Sequence, residues 1–382
     1  MTERQPQIDL MKGFFVIFMI LGHMGQILGR SLGLVMVAGA SVLYPGVFSG
    51  FFFCFGFAVW WSYFQRPKFR RKRMLGAALG CFAAYVVSGS AYQILLAGEK
   101  PGLDLILRVS FLREIPFYSE FLLSFSAVIL IAALCPALIR VTTRNARYLA
   151  ISSLLCLLLA HFHANQSWPP VVGLFIGQLN SSCYPVLLYL PLFLLGAFVA
   201  RHKLRYNLFA AALAFVASAL FVASEFYSVP HLTPRRFPPN AIWIVGSACI
   251  VYLFLGLATI SAAKAHRAAQ RYLNALGQSV LYYLVLSNLV IFALAALGLK
   301  QGLNLHSGLI VYVILMAFLF FLQSIVTDYR RATEVFDRRL DQPRRVGTLS
   351  GRLADSAQDA GHGRATQEEA RHSAYEEARH ST

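Results

Sequence analysis

A histidine, His23, stands inside the first long apolar run of the chain, and Lys12 stands at the entrance to that run, with ten residues between them. An ionisable side chain inside an apolar span is costly to keep there, which makes it a functional candidate. Imidazole exchanges protons near neutral pH. His23 therefore suits a general base that takes a proton from a hydroxyl, or a nucleophile that briefly carries a transferred group. The structural alternative is a histidine hydrogen-bonded to a neighbouring helix. On a helix, the eleven steps from Lys12 to His23 cover about 16 Å, so the two side chains do not meet. Asp9 either orients the Lys12 ammonium or favours the helix N-terminus through its charge.

Two further sets carry chemistry. Arg70, Arg71, Lys72 and Arg73 form a basic run, suited either to phosphate groups or simply to anchoring a loop on the cytoplasmic side. Arg113, Glu114 and Glu120 border the fourth apolar run, and Trp168 lies in a later loop. These four are candidates for a polar binding site on the outer face, although tryptophan is common at membrane interfaces in any case. His161 and His163, two residues apart, point to different sides of a helix and make a poor metal pair. Ser287 and Asn288 in the ninth run suit hydrogen bonds between helices.

The elements that must position these residues are apolar helices. Of 382 residues, 57% are hydrophobic and 13% charged, whereas soluble domains carry about 25% charged residues. That balance excludes a water-soluble enzyme and a disordered chain. Ten apolar runs can be drawn, near 13–29, 42–64, 74–97, 118–139, 148–163, 184–200, 208–226, 240–262, 278–299 and 307–327. Each approaches the length that crosses a bilayer. The expected fold is an all-α polytopic membrane bundle of about ten transmembrane helices over residues 1–329. The first helix reads as uncleaved, because no small-residue cleavage site follows it.

Charge sets the orientation. The net charge is +17, and without an aromatic-interleaved basic groove it argues for topology and not for nucleic acid. Alternate loops hold 15 Lys and Arg on one side against 7 on the other, which places both termini in the cytoplasm of a multi-pass protein. The acids between residues 10 and 327, namely Glu99, Asp104, Glu114, Glu120 and Glu225, then fall in or beside outward loops. They mark either solvated loops or a polar site on the outer face. Residues 330–382 form a mixed-charge tail, expected to be cytoplasmic and mostly disordered. The tail repeats Glu-Glu-Ala-Arg-His-Ser at 368–373 and 376–381. The six cysteines show no CxxC spacing and read as small apolar residues, not as metal ligands or a disulfide framework. No HExxH, Walker A loop or GxGxxG occurs in a usable context.

Several of these segments together resemble acyltransferase family 3 membrane proteins. Asp9-Leu10-Met11-Lys12-Gly13 leading to Gly22-His23 is similar to that family's opening, with lysine in place of the usual arginine. Phe52-Phe53-Cys54-Phe55-Gly56-Phe57, the basic run 70–73, Pro191-Leu192-Phe193-Leu194-Leu195-Gly196, and Leu276-Gly277-Gln278-Ser279 with Tyr283 follow in the family's order. The resemblance implies transfer of an acyl group, acetyl or succinyl, from a cytoplasmic acyl-CoA to a hydroxyl of an envelope or exported glycan, at the cell (inner) membrane. On that reading His23, Lys12 and Asp9 are catalytic, and Arg70, Arg71 and Arg73 receive the donor. Arg113, Glu114, Glu120 and Trp168 receive the carbohydrate acceptor. No bound cofactor or metal is expected. The rival class is a transporter or flippase for a lipid-linked or anionic solute, which should show an inverted internal repeat; no half-to-half similarity is visible.

Overall fold

The computed structural model describes residues 5–29, 33–66, 68–163, 168–177, 184–227 and 239–341. Every regular element among them is helical. The helices are α1 (Pro6–Ile27), α2 (Gly33–Val59), α3 (Arg71–Leu95), α4 (Leu103–Ser110), α5 (Glu120–Leu134), α6 (Pro136–Thr142) and α7 (Ala146–His163). They continue with α8 (Pro170–Ile176), α9 (Val186–His202), α10 (Leu208–Tyr227), α11 (Ala241–Lys264), α12 (Arg267–Gln278), α13 (Val280–Leu294) and α14 (Leu305–Asp341). π-helical turns extend α2 over Trp60–Phe64 and α13 over Ala295–Leu299.

Each of the ten expected apolar runs falls on a helix, but not all are equally long. Among the described residues, six helices have the length and composition to cross a membrane. One further pair passes the same test together and makes a seventh if it is a single span. α5 and α6 meet at 93°, at Pro136, which has no N–H to continue the helix. The described parts of α7, α9 and α10 are shorter apolar helices. Two segments read as loops are amphipathic helices: α4, and α12 just ahead of α13. The last helix runs to Asp341, twelve residues beyond the expected end of the membrane domain at 329. The rest of the expected disordered tail, from 342, lies outside the described residues. The described residues up to Phe321 form one compact unit and those from Leu322 a second.

Within the first unit α1 is central and packs on α2, α11, α12 and α13. α2 lies along α9, and α3 along α5 and α13. The closest of these contacts are made by glycine. A Cβ at Gly56 of α2 would collide with the Phe193 carbonyl of α9, and a Cβ at Gly196 of α9 with the Phe53 carbonyl of α2. The α1–α12 contact works the same way, with Gly277 against the Asp9 carbonyl and Gly13 against the Leu273 carbonyl. Small residues that let backbones approach are the standard device for helix association in lipid, where apolar burial alone does not select a partner. Aromatic rings fill the space around these contacts. Phe52 stacks on Tyr189 at 4.9 Å and Phe55 on Phe125 at 4.2 Å.

This packing gives a stability prediction. Gly196→Leu should lower stability in detergent by about 3 kcal/mol, the upper range for overpacking, read as a lower melting temperature by size-exclusion or fluorescence assay. Gly80→Ala, where an added methyl meets nothing within 4 Å, should leave the melting temperature unchanged or raise it.

Candidate functional site

The residues singled out in the sequence fall into two groups, one around Lys12 and one around His23. At the first end, Lys12 Nζ is 2.6 Å from Asp9 Oδ1, both side chains being 15% exposed. The pair sits one turn apart on α1, so the helix itself supplies its geometry. Lys12 lines two adjoining cavities, which also share Ala58, Ser62 and Gln278. One, of about 230 Å³, includes Gln5, Asp9 and Trp61. The other, of about 300 Å³, runs inward past Cys54, Cys81, Leu122 and Leu284. The π-helical turn after α2 brings Ser62 and Tyr63 onto this wall; such turns are frequent at functional sites because an extra residue re-aims the side chains.

The basic run stands at the same end. Arg70 precedes α3, and Arg71 and Arg73 open it; all three are exposed. Arg73 is one turn, about 6 Å along the helix, ahead of Ala77, which lines the larger cavity. Two further cations border the π-helical turn. Arg201 lies over the Trp60 ring at 5.1 Å and Arg140 over Phe64 at 5.8 Å. Trp60 and Phe64 themselves stack at 5.3 Å.

At the second end His23 is buried, with 5% exposure. Its Nδ1 lies 2.8 Å from Asn288 Oδ1. Asn288, wholly buried on α13, donates from Nδ2 to Ser88 Oγ at 3.0 Å and to the Tyr118 carbonyl at 3.2 Å. A carbonyl only accepts, so the Asn288 amide nitrogen must face Tyr118 and its oxygen must face the imidazole. The imidazole Nδ1 is then the donor in this hydrogen bond. The Tyr118 ring packs edge-on against the imidazole at 5.2 Å. Tyr118 has φ 63°, a left-handed conformation that is uncommon for a bulky residue. Such a conformation costs roughly 1–3 kcal/mol and persists only where its surroundings impose it.

The acidic residues gather on the loop side of this second end. Arg108 of α4 binds Glu99 at 2.5 Å, Asp104 at 3.1 Å and Glu114 at 3.0 Å. The Glu99 hydrogen bond leads, opposed by partial desolvation; with the charges of Glu99, Glu114 and Asp104 it raises the guanidinium pKa above its ordinary value. Glu114 also accepts a hydrogen bond from Gln93 of α3. Thus Glu114 is held by Arg108 and Gln93, while Arg113 beside it points to the exterior and is exposed. Glu120 is buried, 4% exposed, in the first turn of α5, where free amides and the helix dipole favour a carboxylate. Trp168 lies half-buried just before α8.

Three participants carried no sequence signal of their own. Ser88 and Tyr118 are ordinary in apolar surroundings, and Arg108 looked like one loop charge among several. Only its position four residues after Asp104 hinted at an ion pair. His23 is not on the wall of either cavity at the Lys12 end. The larger cavity reaches Leu284, one turn, about 6 Å, before Asn288 on α13.

No curated protein and no solved structure matches the chain. The family model of the acyltransferase domain matches residues 5–329, a stretch that holds the Lys12 cavities, the His23 network and the Arg108 cluster. By that match over most of its length, the chain belongs to acyltransferase family 3, a family of membrane transferases.

Proposed function

We propose that this protein moves an acyl group, acetyl or succinyl, from a cytoplasmic acyl-CoA to a hydroxyl of an envelope or exported glycan, with His23 as the base. The observation that carries the reading is a buried imidazole whose Nδ1 donates to the Asn288 amide oxygen; on this reading Nε2 is the nitrogen that takes the acceptor's proton. A cavity lined by Lys12, with Arg73 one turn ahead of its wall residue Ala77, supports the donor half of the reading.

The coenzyme A phosphates bind the exposed guanidinium groups of Arg70, Arg71 and Arg73 through charge-assisted hydrogen bonds. The pantetheine arm enters the cavity beside the Asp9–Lys12 pair. The thioester passes the turn of α13 that carries Leu284 and meets the acceptor at His23. There the acceptor hydroxyl attacks the thioester carbonyl while its proton passes to Nε2. The carbon–sulfur bond breaks, the new ester keeps the acyl group, and the departing thiolate takes the proton back from Nε2. Asn288 Oδ1 stabilises the transient imidazolium through Nδ1–H, as a carboxylate does in a hydrolase triad. The acceptor arrives from the Arg108 end, where Arg113, Glu114 and Glu120 supply polar groups, and on this reading Trp168 adds a flat ring. The Lys12 end faces the cytoplasm, because the basic loops collect there.

His23→Ala should lower acyl transfer by about 10²–10⁴-fold, the usual share of a positioned base, with the protein still present in the membrane. Activity equal to wild type in that variant ends the proposal. Lys12→Ala should raise the KM for acyl-CoA about tenfold, as expected when a charged hydrogen bond is lost, whereas Lys12→Arg should keep most activity. Mass spectrometry of envelope glycans from cells with and without the gene reads both donor and acceptor. Loss of one acetyl or one succinyl unit identifies the group transferred, and an unchanged glycan pool refutes the glycan assignment.

A further inference from the structure

The reading of His23 as a base leaves open what holds its hydrogen-bond partner in place. Asn288 is oriented by a backbone carbonyl, that of Tyr118, and not by another side chain alone. The segment between α4 and α5 that supplies this carbonyl has two residues in the left-handed region, Leu112 at φ 55° and Tyr118 at φ 63°. A segment of this kind relaxes unless it is tied down.

It is tied down at both of its ends. Near its start, Glu114 accepts from Arg108 and from Gln93, and its own carbonyl accepts from the Tyr85 hydroxyl at 3.2 Å. Arg108 in turn is gripped by Glu99 and Asp104. Near its finish, Ser119 Oγ donates to the Pro116 carbonyl at 3.0 Å, closing a tight turn. That turn rests on Gly89 of α3, where an added Cβ would lie 3.0 Å from Pro116 Cγ and 3.1 Å from Ser119 Oγ. Gly89 is the neighbour of Ser88, the second acceptor of the Asn288 amide. Three residues separate Glu114 from Tyr118, with the fixed ring of Pro116 midway. Little slack remains between the ion cluster and the carbonyl that orients Asn288.

We propose that residues 111–119 form a clamp that sets the tautomer of His23, and that Arg108 is its positioning residue, acting through Glu114 and the Tyr118 carbonyl. This inference rests on the proposed role of His23. Releasing Glu114 lets the Tyr118 peptide leave Asn288. The amide then turns, its nitrogen meets Nδ1, and the proton moves to Nε2, so the nitrogen assigned to the acceptor no longer has a lone pair to receive its proton. Arg108 touches no donor, because the donor enters at the Lys12 end.

The experiment compares Arg108→Gln, Glu114→Gln and the double variant in purified protein, with acyl-CoA and the acceptor as substrates. Each single variant should lower kcat at least tenfold and leave the KM for acyl-CoA within about twofold. The double variant should be no worse than the poorer single, because both act through one network. Arg108→Lys, which keeps one ion pair, should recover part of the lost kcat. Selective ¹⁵N-histidine NMR supplies a readout that lost stability alone does not move. Wild type should show His23 protonated on Nδ1, and Arg108→Gln should show a growing Nε2-protonated fraction. Unchanged kcat, or a lowered melting temperature with the Nδ1 tautomer intact, overturns the clamp. With His23→Ala inactive and the Arg108 variants fully active, the clamp fails and the base survives. An active His23→Ala removes the base itself.

Discussion

Between two helices surrounded by hydrocarbon, apolar surface gives no preference for one partner over another; close backbone approach does. Here two glycine crossings supply that preference. Gly56 and Gly196 join α2 to α9, and Gly13 and Gly277 join α1 to α12. The second crossing has a direct consequence for chemistry. It seats Gly277 against the Asp9 carbonyl, so Gln278 and Lys12 come to share the walls of the same cavities. The segments by which the sequence resembles its family are therefore, in large part, the two halves of these contacts. A motif with Phe-Gly or Leu-Gly character is a packing instruction first, and its link to catalysis runs through the cavity that the packing leaves.

The polar groups inside the bundle follow a stricter rule. An amide in hydrocarbon must place its donors and its acceptor, since water is not there to take them. Asn288 does so with four neighbours' worth of geometry: the His23 ring, the Ser88 hydroxyl, the Tyr118 carbonyl and its own helix. Because a carbonyl cannot donate, this arrangement has one orientation, and the orientation of the amide becomes the protonation pattern of the ring. The left-handed backbone at Tyr118 is the local cost of bringing a main-chain oxygen to that point. Its stability comes from the part-exposed ion cluster of Arg108 and from the buried turn seated on Gly89.

Charge is divided along the bundle accordingly. Arg70, Arg71, Arg73, Arg140 and Arg201 stand around the Lys12 end, two of them over aromatic rings of the π-helical turn. Glu99, Asp104, Glu114 and Glu120 stand at the His23 end, three of them on one guanidinium. A phosphate-bearing molecule meets the denser cationic charge at the Lys12 end. The acids at the other end are spent largely on holding Arg108 and the loop beyond it, so their clustering reflects a structural task as well as an exterior position.

The order of types along the chain already contained the helices, since runs of apolar residues long enough to cross a bilayer have no other way to satisfy their backbone. It also contained the separation of Lys12 from His23, because helical rise is a property of the backbone, and the crowding of cations at alternate loops. Hidden from it were the amphipathic α4 and α12, whose short mixed patterns look like loops, and the break at Pro136, since a proline alone does not tell a kink from a stop. Hidden too were the partners of His23. Asn288, Ser88 and Tyr118 lie 265, 65 and 95 positions away along the chain, and no local pattern marks a serine or a backbone carbonyl as the atom another helix will bring into hydrogen-bond range. Those pairings exist only once glycine contacts have fixed which helix stands beside which, and at what height.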